Sequence, residues 1–165
     1  MTDPLLTPLS PAAQRVQAAL SAHGLDIQVR ELMVSTRTAQ EAAQAVGCSV
    51  GQIVKSLVFR GQRSGQAVLI LTSGANRVDL PLAAAQIGEP LEKATADFVR
   101  EVTGFAIGGV PPLGHVTPMA TYMDEDLLQY PTVWAAAGTP NAIFPIAPAD
   151  LQRVAQAQVI RVKGS

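Results

Sequence analysis

Lys55 is the residue whose type is least expected for its surroundings. It lies in segment 53–59, which reads IVKSLVF and is otherwise apolar or small. If this segment is a strand, Lys55 shares a face with Ile53, Leu57 and Phe59, and we expect that face to be buried. Burying a lysine is costly without a partner or a cavity, and it lowers the pKa, which suits a reactive or ligand-binding role. The alternative is that Lys55 ends the strand and its apolar stem carries the ammonium to water.

A glycine- and proline-rich segment is the second candidate for chemistry. Residues 108–114 read GGVPPLG. Glycine lets main-chain N–H groups approach a ligand closely, and proline stiffens the chain. Such a loop would form a rigid rim whose free amides hold a carbonyl oxygen or an oxyanion. It lacks the Gly-Lys-Ser/Thr of a P-loop and the GxGxxG spacing of a dinucleotide site, and the alternative is a plain structural turn.

The remaining polar residues favour no conventional catalytic group. His115 directly follows the loop, and a lone histidine is more often structural than catalytic. His23 is predicted to end a helix, where a cation is favourable, so we expect neither a histidine metal site nor a cofactor. Cys48 is better explained as a small buried residue than as a reactive thiol. Segment 137–141 (AGTPN) could offer Thr139 and Asn141 to a ligand, although a hairpin turn is the simpler explanation.

The elements around these residues mix helices and strands. Thr38 and Glu41 fit a capping box that opens an Ala-rich helix ending near Gly47. Segments 53–59 and 67–72 read as the two strands of a hairpin. Hairpins among crossover connections favour an α+β fold with a mixed sheet over a doubly wound parallel one. Further helices are predicted at 11–23, 81–86, 95–103 and 148–155, and further strands at 27–33, 119–123, 133–137, 142–146 and 159–162.

Composition limits the class of protein. The chain has 165 residues, 48% of them hydrophobic and 15% charged, which suits one compact domain over residues 1–165. Residues 1–9 are predicted to be an N-terminal tail. The net charge of −1 gives no basic surplus, so we expect any bound RNA to be held over a short footprint such as one terminus.

The lack of a recognisable targeting signal and the low cysteine content favour the cytoplasm. The single cysteine can build neither a disulfide framework nor a CxxC metal site, which is consistent with a reducing compartment. The start of the chain lacks the pattern of a signal peptide, and the apolar runs fall short of the roughly 20 residues that span a bilayer. We therefore expect a cytoplasmic protein with no membrane partner.

Four segments between about residues 27 and 162 carry a resemblance to a known family. They are Thr38 with its Ala-rich helix, 52–57 (QIVKSL), 103–114 (TGFAIGGVPPLG) and 137–140 (AGTP). In this order and spacing they resemble the YbaK/prolyl-tRNA synthetase editing-domain family. The resemblance implies an α+β fold in which helices surround a mixed, strongly curved, barrel-like sheet.

The resemblance also implies an activity. Members of this family hydrolyse the ester of a mischarged tRNA, commonly tRNA for proline carrying alanine or cysteine. A synthetase pocket discriminates a missing methylene by only about 1–3 kcal/mol, so small intruders require a second sieve. We expect a freestanding trans-editing deacylase whose partners are the acceptor end of an aminoacyl-tRNA and prolyl-tRNA synthetase, and not DNA.

Residue roles follow from the same resemblance. Lys55 is expected to hold the terminal adenosine or act electrostatically, and Gly108 and Gly109 are expected to position the aminoacyl carbonyl. The attacking water is thought to be helped by the substrate's own ribose hydroxyl or, for cysteine, its thiol. Further substrate contacts are expected at Thr38, Ser56, Val110, Pro111, Pro112, Gly114, His115, Gly138 and Thr139.

The chain departs from the family pattern at three places, and two alternatives to the deacylase function remain. Position 56 is Ser where many relatives have Thr or Asn, His115 lies at a variable position, and the 138–140 turn matches only some subgroups. The amino-acid specificity is therefore left open. One alternative is a non-catalytic module of the same fold that binds a nucleotide, an aminoacyl group or a synthetase. The other, a hydrolase using Cys48, is disfavoured because no activating base lies near it in sequence.

Overall fold

The computed structural model describes residues 6–164 of the chain. Within that range it contains nine strands, five α-helices and two 3₁₀ helices, at Val50–Gln52 and Glu125–Gln129. The strands are β1 (Leu6–Thr7), β2 (Arg30–Leu32), β3 (Ile53–Gly61), β4 (Ala67–Ser73), β5 (Leu91–Lys93), β6 (Ala120–Asp124), β7 (Val133–Ala136), β8 (Ala142–Ile146) and β9 (Gln158–Ile160). The helices are α1 (Pro11–Ala22), α2 (Ala39–Val46), α3 (Leu80–Ile87), α4 (Ala96–Thr103) and α5 (Pro148–Ala155).

The strands form one mixed sheet that is curled but not closed. Its order is β1-β2-β8-β7-β3-β4-β6-β9, and β5 pairs with β3 away from this path. The β3–β7, β4–β6 and β6–β9 pairs are parallel, and the other pairs are antiparallel. This architecture confirms the predicted α+β class with a mixed, curved sheet. Among the residues described, none of the helices has the length and apolar character that crossing a bilayer requires.

Local capping chemistry explains where α2 begins and ends. The Thr38 hydroxyl accepts from the Glu41 N–H at 3.1 Å, and the Glu41 carboxylate accepts from the Thr38 N–H at 3.2 Å. This confirms the predicted capping box, which satisfies two amide donors at the start of the helix. Gly47 ends α2 at φ 76°, a left-handed conformation that glycine adopts at little cost.

The β3–β4 hairpin places Lys55 inside the sheet. Lys55 pairs with Thr72 in a register that runs without a bulge from Val54 to Arg60. Strand β4 is buried from Val68 to Ser73, because it lies between β3 and β6 with apolar clusters against it. Lys55 is therefore the third residue of an internal strand, and the alternative that it ends the strand is wrong.

Three short strands differ from the sequence prediction. Strand β5 was not predicted, because only Leu91 of its three residues is buried and no alternation can develop over so short a length. The strand predicted at 27–33 is shortened to Arg30–Leu32. Leu6–Thr7, inside the predicted tail, pairs with β2, while residues 1–5 of that tail lie outside the described part of the chain.

Candidate active site

One cavity of about 470 Å³ lies between β3 and the loop that follows α4. Both candidates from the sequence meet there, because Lys55 lines it from the strand and Gly108 lines it from the loop. Most of the remaining lining is apolar. The lining residues are Thr36, Arg37, Thr38, Ala39, Ile53, Val54, Lys55, Ser56, Leu57, Val58, Phe59, Lys93, Ala94, Val99, Ile107, Gly108, Val110 and Ala136.

The cavity lies against an interruption in the pairing of β3. On the edge away from β4, β3 pairs with β7 up to Val54 and with β5 from Phe59 onward. Within the described chain, residues 55–58 have no strand partner on that edge. Gly61 donates its N–H toward β4, to the Gln66 carbonyl at 2.9 Å. Since main-chain groups of an antiparallel strand alternate in direction, those of Ser56 point to the interrupted edge and are free to bond a ligand.

Ser56 has a second free group at the same place. Its hydroxyl oxygen is buried and makes no hydrogen bond within the described residues. A buried polar atom without a partner costs free energy, and such atoms are rare in folded proteins. Ser56 itself belongs to the lining of the cavity, so this hydroxyl is a candidate partner for a ligand there.

Lys55 is half-buried and points its ammonium at a protein carbonyl. Its Nζ donates to the main-chain oxygen of Asn76 at 3.0 Å. Burial, and then the nearby Arg77 guanidinium, lower the pKa of Lys55 below its usual value, while the Asp124 carboxylate acts in the opposite direction. The result is a partly desolvated ammonium on a fixed acceptor.

Two main-chain hydrogen bonds of Gly109 hold the glycine loop, one to Ala106 just before the loop and one to Gly138. Gly108 adopts φ 99° and lies under the Arg37 side chain, whose Nε would be 3.1 Å from an added Cβ. The Gly109 N–H donates to the Ala106 carbonyl at 3.1 Å, so this amide is already used. The Gly109 carbonyl accepts from the Gly138 N–H at 2.8 Å. Of the two glycines, Gly108 belongs to the lining of the cavity and Gly109 does not.

The last part of the loop, residues 111–115, lies outside the cavity lining. Pro111 and Pro112 are buried and lie outside the cavity lining, as does the exposed Gly114. His115 lies within 2.7 Å of the Pro111 carbonyl through Nε2, which donates in the tautomer that carries its proton there. Burial lowers the pKa of His115, and the hydrogen bond to Pro111 offsets part of that change. These residues fix the path of the loop.

The 137–141 turn is the hairpin connection between β7 and β8, which confirms the interpretation of this segment as a hairpin turn. Gly138 and Thr139 lie against Gly109, outside the lining of the cavity. The Pro140 carbonyl accepts from the Thr36 N–H at 2.7 Å, and the Asn141 amide donates to the Leu32 carbonyl at 2.6 Å. The turn therefore holds the segment that leads into Thr36, Arg37 and Thr38.

Two cations of the site, Arg37 and Lys93, carry no distinguishing signal in the sequence. Arg37 precedes a helix cap and Lys93 belongs to the unpredicted strand β5, yet both line the cavity. Within the described lining there is no Asp, Glu, His or Cys side chain. Cys48 packs in the cluster around Ile53, and burial raises the pKa of its thiol, which disfavours the nucleophilic thiolate.

Comparisons with known proteins agree on one family. The model of the aminoacyl-tRNA editing domain matches residues 34–154. YwhH of Bacillus subtilis, an uncharacterised protein, is 32% identical over 131 residues, which are 79% of this chain and 83% of YwhH. EbsC of Enterococcus faecalis, described as a candidate Cys-tRNA(Pro)/Cys-tRNA(Cys) deacylase, is 27% identical over 126 residues, 76% of each chain. A solved structure of a candidate trans-editing enzyme for prolyl-tRNA synthetase shares 58% identity at a TM-score of 0.90, covering 96% of this chain and 100% of that one.

Proposed function

The chain belongs to the aminoacyl-tRNA editing domain family and is an aminoacyl-tRNA deacylase, and we propose that it removes alanine or cysteine from mischarged tRNA for proline. It acts in trans, on tRNA released by prolyl-tRNA synthetase. One observation carries the proposal: Lys55 and Ser56 on β3 line the same cavity as Gly108 and Val110 of the loop. The likeness to a candidate trans-editing enzyme for prolyl-tRNA synthetase, at 58% identity, supports the choice of tRNA.

The size and charge of the cavity suit the acceptor end of a tRNA. Its volume of about 470 Å³ falls in the range of small-ligand sites, which accommodate a nucleoside with a small acyl group. Three cations, Arg37, Lys55 and Lys93, contribute to a described lining without acidic side chains. Such a positive concave surface attracts phosphates over a short footprint. The overall charge of −1 is compatible with this, because the cations are local.

Free polar groups of β3 give the substrate its orientation. The Ser56 hydroxyl and the main-chain groups at the interrupted edge are available for the ribose hydroxyl and the ester. The Lys55 ammonium stabilises negative charge that develops on the ester carbonyl or lies on the terminal phosphate. The Gly108 side of the loop closes over the aminoacyl carbonyl, and the Arg37 side chain lies against Gly108.

The chemistry depends on the substrate as well as on the protein. Water adds to the ester carbonyl, the bond between that carbon and the ribose oxygen breaks, and the proton of the water ends on the departing oxygen. The products are the free amino acid and tRNA with its terminal hydroxyl restored. Because the described lining offers no carboxylate, imidazole or thiol, the neighbouring ribose hydroxyl orients the water. For a cysteinyl ester the substrate's own thiol is a second group that orients the attacking water.

Selection for small amino acids follows from the apolar part of the cavity. Val54, Val99 and Val110 are buried side chains that bound it and cannot move without disturbing the main core cluster. The buried prolines Pro111 and Pro112 hold Val110 from behind. An alanyl or cysteinyl group fits such a space, whereas a larger side chain overpacks it at a cost of about 1–3 kcal/mol. This is the second sieve that a synthetase pocket needs for small intruders.

A deacylation panel tests the proposal. Alanyl-, cysteinyl-, prolyl- and leucyl-tRNA are prepared on tRNA for proline, and the remaining ester is followed with time. We expect the alanyl or cysteinyl ester to be lost fastest and the Lys55→Ala variant to lose most of the activity. Lys163→Ala, at an exposed lysine away from the cavity, is the matched control. If every ester survives high protein concentrations while binding saturates, the protein is instead a binding module of the same fold.

A further inference from the structure

Asn76 provides the acceptor for the Lys55 ammonium. It lies just after β4 and is 7% exposed. Its main-chain carbonyl accepts a hydrogen bond from Lys55 Nζ at 3.0 Å. Within the described chain, this is the hydrogen bond of the Lys55 side chain. Lysine has a long, flexible stem, so the position of this carbonyl decides where the charge lies.

The side chain of Asn76 is held by two carboxylates. Its Nδ2 donates to Asp124 Oδ2 at 2.9 Å and to Asp126 Oδ2 at 2.8 Å. Both protons of the amide are thereby used, which a carboxylate at position 76 could not reproduce. Asp124 is 1% exposed and also accepts from the Ser73 and Asp126 N–H groups, at 3.0 and 2.9 Å. Asn76 is thus joined to the end of β6 by a network of four hydrogen bonds.

The turn that carries Asn76 is tied to the start of β3 as well. The Ser73 hydroxyl donates to the Gly51 carbonyl and the Gly74 N–H donates to the Ile53 carbonyl, each at 2.7 Å. A Cβ added to Gly74 would overlap the Val50 carbonyl oxygen, so the two segments are in close contact. The carbonyl of Asn76 is therefore fixed relative to the strand from which Lys55 projects.

We propose that Asn76, held by Asp124 and Asp126, is a positioning residue that fixes the place of the Lys55 ammonium at the cavity. This rests on the proposed function, since it assigns Asn76 an effect on deacylation that passes through Lys55. Functional groups need to be held within about 0.5 Å of the productive geometry, and a misplacement of about 1 Å can cost on the order of 100-fold in rate. A mobile lysine at this site would lose that placement.

Three variants separate this role from general support of the fold. Asn76→Ala removes the amide. Asp126→Ala removes one of its two acceptors from a half-buried position and keeps the buried Asp124, so it remains informative if the first variant folds poorly. Glu125→Ala is the matched control, because Glu125 is the exposed neighbouring acid of the same 3₁₀ helix.

A double-mutant cycle with Lys55→Ala tests whether Asn76 acts through Lys55. Single-turnover deacylation of alanyl-tRNA is measured for each variant with Lys55 present and with Lys55 replaced. We expect Asn76→Ala to slow deacylation by about tenfold with Lys55 present and by less than about twofold without it. Glu125→Ala is expected to change neither rate. An equal slowing in both backgrounds would falsify the positioning role.

A second readout needs no substrate. The chain has three lysines, Lys55, Lys93 and Lys163, so ¹³C-lysine labelling gives three resolvable Cε signals. We expect the two Cε protons of Lys55 to be inequivalent in the wild type and to become degenerate in Asn76→Ala and Asp126→Ala, but not in Glu125→Ala. Inequivalent protons in both Asn76→Ala and Asp126→Ala would overturn the proposal. If no tRNA ester is hydrolysed, the proposed function fails while this measurement still decides whether Asn76 orders Lys55.

Discussion

Gly138 donates its main-chain N–H to the carbonyl of Gly109 at 2.8 Å, which joins the β7–β8 turn to the loop that borders the cavity. The two backbones touch here, since a Cβ on Gly109 would lie 2.8 Å from three main-chain atoms of Gly138 and Thr139. The loop can therefore keep its shape only while position 109 has no side chain.

Gly109→Ala is expected to reduce both stability and deacylation. The added methyl group meets main chain that cannot rotate away, and overpacking of this kind costs about 1–3 kcal/mol. Denaturant unfolding and single-turnover deacylation measure the two effects. Gly88→Ala is the control, because Gly88 has φ 107° with open space around it and lies at the end of α3. It should lower the unfolding free energy through backbone strain and leave the deacylation rate unchanged.

Ser56 on β3 and Ser73 on the paired strand β4 should respond in opposite ways to replacement by alanine. Ser56 has an unpartnered hydroxyl, so Ser56→Ala should leave the unfolding free energy unchanged or raise it. Ser73 donates to the Gly51 carbonyl at 2.7 Å, so Ser73→Ala should lower it by about 1 kcal/mol. Ser56→Ala should nevertheless weaken deacylation. A clear loss of stability in Ser56→Ala would mean that its hydroxyl is satisfied in the free protein.

The pH dependence of deacylation should report the ammonium of Lys55. Burial and then Arg77 lower the pKa of Lys55, and Asp124 raises it. The other charged side chains nearby are Arg37 and Lys93 in the cavity lining and Asp126, which is bonded to the Asn76 side chain. Activity that requires the charged form is full below this lowered pKa and falls as the pH rises through it. Arg77→Gln removes a lowering influence, so the alkaline limb should move to higher pH.

The measurement is the ratio of catalysed to uncatalysed ester loss across the alkaline range, because the ester itself is labile there. Arg77 is exposed, so its replacement should leave folding intact. An unmoved or downward-shifted limb in Arg77→Gln would show that Lys55 does not control the profile.

His115 should make the stability of the fold sensitive to mild acid. Burial lowers its pKa below 6.5, so the unfolded chain binds a proton in a window where the folded protein does not. The unfolding free energy is therefore at its full value above pH 6.5 and decreases as the pH falls from 6.5 toward the lowered folded-state pKa. His115→Gln keeps a donor for the Pro111 carbonyl and should flatten this part of the curve.

Chemical denaturation at a series of pH values measures the effect. His23→Gln is the matched control, because His23 is exposed at the end of α1 and should leave the slope as it is in the wild type. A slope that survives in His115→Gln would assign it to another group.

Features that depend on neighbours in sequence were predictable, and features that depend on distant partners were not. The Thr38 capping box, the strand around Lys55 and the glycine loop follow from spacing within a few residues. Asn76 and Asp124 are separated by 48 residues and meet only because β4 and β6 pair side by side. Strand β5 brings Lys93 to the cavity through pairing alone, and its three residues show no pattern of their own. The predicted contacts at Pro111, Pro112, Gly114, His115, Gly138 and Thr139 remain predictions, and in the free protein these residues lie outside the cavity lining.

The interrupted edge of β3 has a consequence for how the protein responds to its substrate. Over residues 55–58 the sheet lacks the neighbour that protects main-chain amides from exchange with solvent elsewhere in β3. A bound acceptor end would take the place of the missing strand and complete the ladder. We expect the amide of Ser56 to exchange rapidly in the free protein and to slow when substrate binds, while amides of β4 stay protected in both states. The strand edge that binds the ester would then be locally labile in the free protein and would become rigid when the ester binds.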